Sequence, residues 1–224
     1  MTKEDILKKL KESVINMDCD AAKAAAIEAL DAKIDPSEAI KKGLYLGLSE
    51  VCDEYEKTVF PTEMLIASDA FYEGVKVLRS KISAEKASEM RKGIAVLGVV
   101  EGDIHDLGKN MVKYLMEAEG IEIHDLGFDV TAEKFVEEAE KTNADLILIS
   151  TMLTSLFPEI KKISTLARDK GLNVRIMAGG GPVTEEIALK MGADGWALTA
   201  PLAVKKAVEL LEKPLEKPVK VSKT

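Results

Sequence analysis

Both histidines of the chain lie in copies of one pentapeptide, IHDLG, 19 positions apart. The first, His105, follows Asp103 by two residues in the stretch EGDIHDLGKN, between Gly102 and Gly108. A carboxylate at that spacing can hold one imidazole nitrogen, which fixes the tautomer and makes the other nitrogen a better metal ligand. The alternative interpretation is that Asp103 or Asp106 caps a helix and His105 is a solvated loop residue.

The second histidine, His124, has a different setting. It lies in IEIHDLG, where apolar and polar residues alternate as in a strand, and Asp125 after it would project to the opposite side. Glu122 stands where the first copy has its aspartate, but no loop folds it back. We predict no function for His124.

The elements around His105 follow from the apolar pattern after residue 92. Five strand-like runs (GIAVLGVV, IEIHDLG, ADLILIS, NVRIMA and ADGWAL) alternate with helical segments. Strict alternation predicts an α/β fold: a doubly wound five-stranded parallel sheet, flavodoxin-like or Rossmann-type in its architecture, with right-handed crossovers. Ligands bind such sheets at the carboxyl ends of the strands, where EGDIHDLG, STMLTS, GGGP and LTAP follow.

The residues before this region have helical spacing. Four amphipathic segments with short connections predict an all-α four-helix bundle. Its third helix begins after the N-cap Asp35 and its fourth at Pro61. We therefore expect a helical domain at 1–90, an α/β domain at 91–213 and a flexible tail at 214–224, with a charged connection at 83–92.

Composition and motifs exclude several functions. The net charge is −8 and no basic stripe is present, so no nucleic-acid partner is expected. No apolar run approaches the ~18 residues that a membrane span needs, and the N-terminus lacks a signal sequence. Cys19 and Cys52 are isolated, as in a reducing cytoplasm. Phosphate-binding GxGxxG and GxxxxGK[ST] motifs do not follow the first strand, which disfavours a nucleotide site.

EGDIHDLGKN closely resembles the DxHxxG signature of cobalamin-binding domains, found in methionine synthase and in the corrinoid proteins of methanol, methylamine and methoxyl methyltransferase systems. The accompanying SxL and GG signatures correspond to Ser150–Met152 and to Gly179 with Gly180. The N-terminal segment resembles the helical cap of the methyltransferase branch, particularly at residues 59–64, VFPTEM. The resemblance covers nearly the whole chain.

The resemblance implies a role for each matching residue. His105 would coordinate cobalt from the lower face, displacing the nucleotide base of the cofactor, and Asp103 would tune it. The displaced tail would occupy a slot lined by Gly108, Ser150, Thr154, Gly179 and Gly180. The metal ligand is His105, no residue is catalytic, and the full set implied for cobalamin is Gly102, Asp103, Ile104, His105, Asp106, Leu107, Gly108, Ser150, Met152, Thr154, Gly179, Gly180 and Thr199.

The sequence departs from the family pattern at several positions. Met152 replaces the leucine of SxL, a swap of similar volume. Leu156 stands where methionine synthase has a serine that completes an Asp–His–Ser relay, so any relay would need another residue, such as Ser155. Thr199 follows the fifth strand where relatives often differ. In the cap, Phe60, Met64 and Leu65 would face the corrin or form ordinary bundle core.

The resemblance implies a methyl carrier whose cobalamin cycles between cob(I)alamin and methylcobalamin. Its partners would be a substrate-specific methyltransferase, a methyl-acceptor methyltransferase and a reductive activator of the corrinoid. The chain would be the non-catalytic corrinoid subunit of this multi-component system. A cobalamin-binding sensor and the small subunit of an adenosylcobalamin mutase are the alternatives. Donor choice lies in the partner enzyme, so methanol, methylamines, methoxyaromatics, methyl sulfides and betaines all remain candidates.

Overall fold

The computed structural model describes residues 2–58, 61–80 and 91–212. The predicted tail at 214–224, Phe60 and most of the predicted connection at 83–92 lie outside these residues. The chain divides into two compact units, one made of residues up to 91 together with 111–120, the other of residues 92–110 and those from 121 onward. None of the described helices is both long enough and apolar enough to cross a membrane.

The first unit is helical, and the third and fourth predicted helices begin at the expected positions, after Asp35 and at Pro61. The Asp35 carboxylate accepts hydrogen bonds from the backbone N–H groups of Ser37 and Glu38 at 3.0 and 3.2 Å. The helix that starts there passes through a π-helical turn at Ile40–Leu44. The α-helices before the second unit are α1 (Lys3–Ile15), α2 (Cys19–Asp31), α3 (Pro36–Ala39), α4 (Tyr45–Thr58) and α5 (Pro61–Arg79).

The second unit is the predicted α/β fold. Its sheet has five strands, all parallel, in the order β2-β1-β3-β4-β5, which confirms the fold class. The strands are β1 (Gly93–Val99), β2 (Ile121–Asp125), β3 (Leu146–Ser150), β4 (Arg175–Gly179) and β5 (Gly195–Trp196). The helices are α6 (Leu107–Ala118), α7 (Ala132–Thr142), α8 (Phe157–Asp169), α9 (Glu185–Lys190) and α10 (Ala200–Glu212), with residues 111–120 grouped in the helical unit.

The order of the strands determines which loops meet. The chain leaves β1 toward the edge strand β2 and returns to place β3 on the other side of β1, so the connections diverge at β1 and β3. Loops that follow strands on either side of such a point leave a crevice at the carboxyl edge of the sheet. Backbone bonds extend the ladder here: Val100 N–H donates to the carbonyl of Ser150 at 3.1 Å, and Thr151 N–H to that of Gly179 at 3.1 Å.

Candidate functional site

The loop after β1 buries one residue and exposes its neighbours. Asp103 is 1% exposed, whereas the side chain of His105 is 56% exposed. Gly102 has a φ of +84°, a left-handed conformation that glycine adopts without a steric penalty, and Asp103 N–H bonds back to the carbonyl of Val100 at 3.1 Å. The turn therefore points the carboxylate into the protein and leaves the imidazole at its surface.

Four donors surround the Asp103 carboxylate. Its Oδ1 contacts the Nδ1 atom of His105 at 2.7 Å and accepts from the His105 backbone N–H at 3.0 Å. Its Oδ2 accepts from the Thr151 hydroxyl at 2.8 Å and from the Met152 backbone N–H at 2.6 Å. The carboxylate thus joins the loop after β1 to the loop after β3.

These hydrogen bonds decide the charge of Asp103. Burial by itself raises the pKa of a carboxyl group, because it disfavours the charged form. Here the hydrogen bonds from the backbone of His105 and Met152, and from the side chains of His105 and Thr151, outweigh burial and lower the pKa of Asp103 to about 2. Asp103 is therefore a buried anion at neutral pH.

The charge of Asp103 fixes the state of the imidazole. A carboxylate only accepts hydrogen bonds, so the proton of neutral His105 lies on Nδ1, which contacts Asp103. The Nε2 atom then keeps its lone pair, and the side chain that carries it is more than half exposed. A histidine in this state is a ready metal ligand, and the carboxylate behind it fixes the orientation of the ring. A single ligand of this kind suits a metal already held in a macrocycle.

Thr151 is the residue that sequence reasoning missed. Ser155 was named as one candidate to substitute for a relay serine. In the structure, the hydroxyl group that donates to Asp103 belongs to Thr151, which is fully buried. The Thr151 hydroxyl also accepts from the backbone N–H of Leu153 at 3.2 Å, which holds its orientation. The signal in the sequence was a hydroxyl residue directly after β3, the strand next to β1.

The remaining predicted residues fall into three groups. Ser150 pairs with Gly179 across β3 and β4, and Met152 Sδ accepts from Gly181 N–H at 3.1 Å, so the ends of these strands are joined. Ile104, Asp106, Leu107 and Gly108 line the loop and the start of α6, and Thr154 is an exposed residue of the loop after β3. Thr199 caps α10, accepting from Leu202 N–H at 3.3 Å; no described contact joins it to His105.

Large apolar side chains are exposed around this edge of the sheet. Exposed apolar clusters on a folded unit mark surfaces that bind an apolar partner. Ile104 next to His105 is 69% exposed, and Leu198 after β5 is 70% exposed. The other members are Met152, Leu153 and Leu202, at 45%, 37% and 49%.

Three glycines of this unit differ in the space around them: Gly108 and Gly179 adjoin open space, whereas Gly180 does not. A Cβ atom added to Gly180 would overlap the carbonyl oxygen of Thr151, and Gly180 has a φ of +124°, so the fold itself requires that glycine. A Cβ added to Gly108 or Gly179 would meet nothing within 4 Å, and neither has a left-handed φ. The open space at these two positions fits a bound group that runs close to the backbone.

His124 lacks the features of His105. Its Nε2 atom lies 3.1 Å from Glu122 Oε1 and its Nδ1 atom 3.4 Å from Glu138 Oε1, so both ring nitrogens face carboxylates. Within the described residues, no three histidine, cysteine or acidic side chains come close enough together to hold a bare metal ion.

The fold and the site define a class of protein. An exposed histidine backed by a buried carboxylate, at the apolar carboxyl edge of a parallel sheet, suits a large apolar metal macrocycle. The B12 binding domain family matches residues 93–205, and a second B12 binding domain family matches residues 6–79. The chain belongs to the B12-binding corrinoid proteins, and cobalamin is its cofactor.

Relatives in sequence and structure support this assignment. The chain is 40% identical to dimethylamine corrinoid protein 1 of Methanosarcina acetivorans, over 94% of its own length and 100% of the relative. The monomethylamine corrinoid protein of Methanosarcina barkeri is 31% identical with a TM-score of 0.59, covering 93% and 100% of the two chains. A cobalamin-binding protein from Desulfitobacterium hafniense DCB-2 is 26% identical with a TM-score of 0.73, covering 91% and 98%.

The buried charge of Asp103 gives a stability prediction. Asp103→Asn should lower the free energy of unfolding of the cofactor-free protein by about 2 kcal/mol at neutral pH, because a pKa lowered from 3.8 to about 2 stabilises the ionised folded form by that amount. Since the folded-state pKa lies below the unfolded-state value, this contribution is complete above the unfolded-state pKa and is lost as the pH falls toward 2.

Urea unfolding of both proteins from about pH 7 down to about pH 2.5 measures this dependence. The exposed Glu101→Gln, in the same loop, is the matched control and should not change the stability measurably. A difference between Asp103→Asn and the natural protein that stayed constant over the whole pH range would contradict the assignment of a buried anion.

Proposed function

We propose that this protein is a methyl carrier that binds cobalamin with His105 as the lower cobalt ligand. The observation that carries the proposal is the exposed imidazole of His105, whose Nδ1 contacts the buried Asp103 carboxylate at 2.7 Å. Bound cobalamin supplies a cobalt centre that accepts and releases a methyl group. The chain supplies no catalytic residue; it supplies position, ligation and control of one proton.

The proton lies on the side of His105 that faces the protein. With Nε2 as the cobalt ligand, the Nδ1 proton would stay in its hydrogen bond to Asp103. Thr151 donates to the other oxygen of Asp103, so it keeps the carboxylate oriented toward Nδ1.

The proposed slot for the nucleotide tail lies at the ends of β3 and β4. Its walls are residues with small or hydroxyl side chains, and the open space at Gly108 and Gly179 supports this placement. Ser150 and Thr154 offer hydroxyl groups there. The exposed apolar residues Ile104 and Met152 would contact the corrin ring, which is large and mostly apolar.

The names of the relatives suggest the substrate class. Among them are a dimethylamine corrinoid protein at 40% identity and a monomethylamine corrinoid protein at 31%. We therefore propose a methylamine, and dimethylamine in particular, as the methyl donor. The partners are then a methylamine:corrinoid methyltransferase, a second methyltransferase that passes the methyl group to an acceptor, and a reductive activator. The cytoplasmic location expected from the two isolated cysteines is part of this proposal.

His105→Ala should remove the protein-derived nitrogen ligand. In the natural protein with nitrogen-15-labelled histidine, loaded with cobalamin and reduced to the cob(II) state, electron paramagnetic resonance should show superhyperfine splitting from nitrogen-15. His105→Ala should lose that pattern, and any splitting that remains should be the nitrogen-14 pattern of the cofactor's own base. The matched control is His124→Ala, which removes the other histidine of the chain and should keep the splitting. Splitting that disappeared only in His124→Ala would overturn the assignment.

Substitutions at Gly179 and Gly180 should differ in their effects, the first on cobalamin binding and the second on stability. Gly179→Ala should leave the thermal unfolding of the cofactor-free protein nearly unchanged, because the added Cβ meets nothing within 4 Å. It should weaken cobalamin binding by about tenfold or more, equivalent to about 1.4 kcal/mol, because the side chain fills the slot. Gly180→Ala should instead destabilise the cofactor-free protein by about 1–3 kcal/mol, because it overlaps the Thr151 carbonyl.

Thermal unfolding and absorbance titration with hydroxocobalamin separate the two effects. Unchanged cobalamin affinity in a well-folded Gly179→Ala variant would place the nucleotide tail elsewhere.

The methyl-donor proposal is tested by transfer itself. The cobalamin-loaded and reduced protein is mixed with the methyltransferase that serves the Methanosarcina acetivorans relative, and with mono-, di- or trimethylamine in separate reactions. Dimethylamine should produce the absorbance change of cobalt methylation fastest, because the chain resembles that relative over its whole length. Methylation by none of the three amines would refute the methylamine assignment but leave the ligand assignment standing.

A further inference from the structure

The segment that follows the second histidine touches the His105 loop at two points. Residues 125–129 connect β2 to the turn before α7, and we call them the clamp segment. It contains Asp125, which ends the strand, and Asp129, and it belongs to the same α/β unit as the His105 loop. Neither aspartate has a role in the site described above.

Asp129 holds the loop on the side that precedes His105. Its Oδ1 atom accepts from the backbone N–H of Gly102 at 2.8 Å, and its own N–H donates to the carbonyl of Asp103 at 3.1 Å. Both Gly102 and Asp129 have left-handed backbones, with φ of +84° and +56°. A non-glycine residue in that conformation is uncommon and persists where the surroundings hold it.

Asp125 holds the loop on the side that follows His105. Its Oδ1 atom accepts from the ammonium group of Lys109 at 2.6 Å and from the backbone N–H of Gly127 at 3.0 Å. The side chain of Lys109 is 1% exposed. This buried cation lies in the first turn of α6, where the helix dipole disfavours positive charge. The pairing with Asp125 offsets both penalties and ties the first turn of α6 to the clamp segment.

The two contacts complement those of the Asp103 carboxylate. The loop after β3 holds the side chain of Asp103, through Thr151 and Met152. The clamp segment holds its backbone, through Asp129. Asp103 is therefore restrained from both sides. His105 is hydrogen-bonded to Asp103, so its position is restrained as well.

We propose that Asp125 and Asp129 are positioning residues that keep the His105 loop in the conformation that presents the imidazole. The proposal rests on the proposed role of His105 as a metal ligand. A loop ordered in advance needs no ordering each time the ligand binds or leaves, and groups held in place by such a supporting layer bind more tightly. The clamp segment thus sets the equilibrium between histidine-on and histidine-off states.

The test compares Asp129→Gly with Asp129→Asn. Asparagine tolerates the left-handed backbone and keeps an oxygen that can accept from Gly102, whereas glycine relieves the backbone but removes the acceptor. Asn143→Gly is the matched control, because Asn143 also has a left-handed φ, +49°, at the end of α7 and belongs to no part of the site.

Two measurements report the hydrogen bonding and the ligation of His105. In the cofactor-free protein, nitrogen-15 chemical shifts of the imidazoles report the Nδ1 hydrogen bond, and only two histidines contribute signals. In the cobalamin-loaded protein with nitrogen-15-labelled histidine, the share of the cob(II) signal that is split by nitrogen-15 measures the ratio of histidine-on to histidine-off. Asp129→Gly should lower that ratio by about tenfold, the effect expected for a lost hydrogen bond to a charged group. Asp129→Asn and Asn143→Gly should match the natural protein.

A parallel variant tests the second contact. Lys109→Met keeps the apolar stem and removes the ammonium, which breaks the ion pair with Asp125. It should also lower the histidine-on ratio, while the bound cobalamin per protein stays constant.

The outcomes separate the two proposals. Natural imidazole shifts and a natural histidine-on ratio in both Asp129→Gly and Lys109→Met would overturn the positioning role. If the natural protein showed no splitting from His105 at all, the proposed ligation would fail instead. The imidazole shifts of the cofactor-free variants would then still decide whether the clamp segment orients His105.

Discussion

The site depends on one buried negative charge. Removing a carboxylate from water is costly unless donors replace the lost hydration. Asp103 has four such donors, and two of them come from residues about fifty positions away in the chain. The conformation of the loop after β1, the direction of the imidazole and the path of the loop after β3 are therefore coupled, because each supplies part of what the charge requires.

The sheet topology makes that arrangement possible. β1 lies between β2 and β3, so the loop after β1 has a neighbouring loop on each side. One neighbour supplies Thr151 and Met152 to the carboxylate, and the other supplies Asp129 to the backbone. An edge strand would have only one such neighbour. His124, on the edge strand β2, shows the contrast, since its ring nitrogens face carboxylates instead of an organised loop.

The sequence predicted the elements well because their signals are local. Alternating apolar runs gave the parallel sheet, and the Asp-x-His spacing gave the pair that the structure joins at 2.7 Å. The roles of Thr151 and of Asp125, the partner of Lys109, could not be predicted in the same way. Their contacts join segments distant in sequence, and they depend on the register of β3 and on the turn after β2. Leu156 stands where methionine synthase has its relay serine, so the sequence showed that another residue would have to take that role. Only the packing of the loops identifies Thr151 as the residue that contacts Asp103.

Asp103 and His105 differ in exposure, so the pair has one end inside the protein and one end at its surface. The carboxylate is sealed from solvent, while the imidazole opens to the surface. A metal can therefore approach this pair from one side only, through Nε2, the ring nitrogen that does not face Asp103.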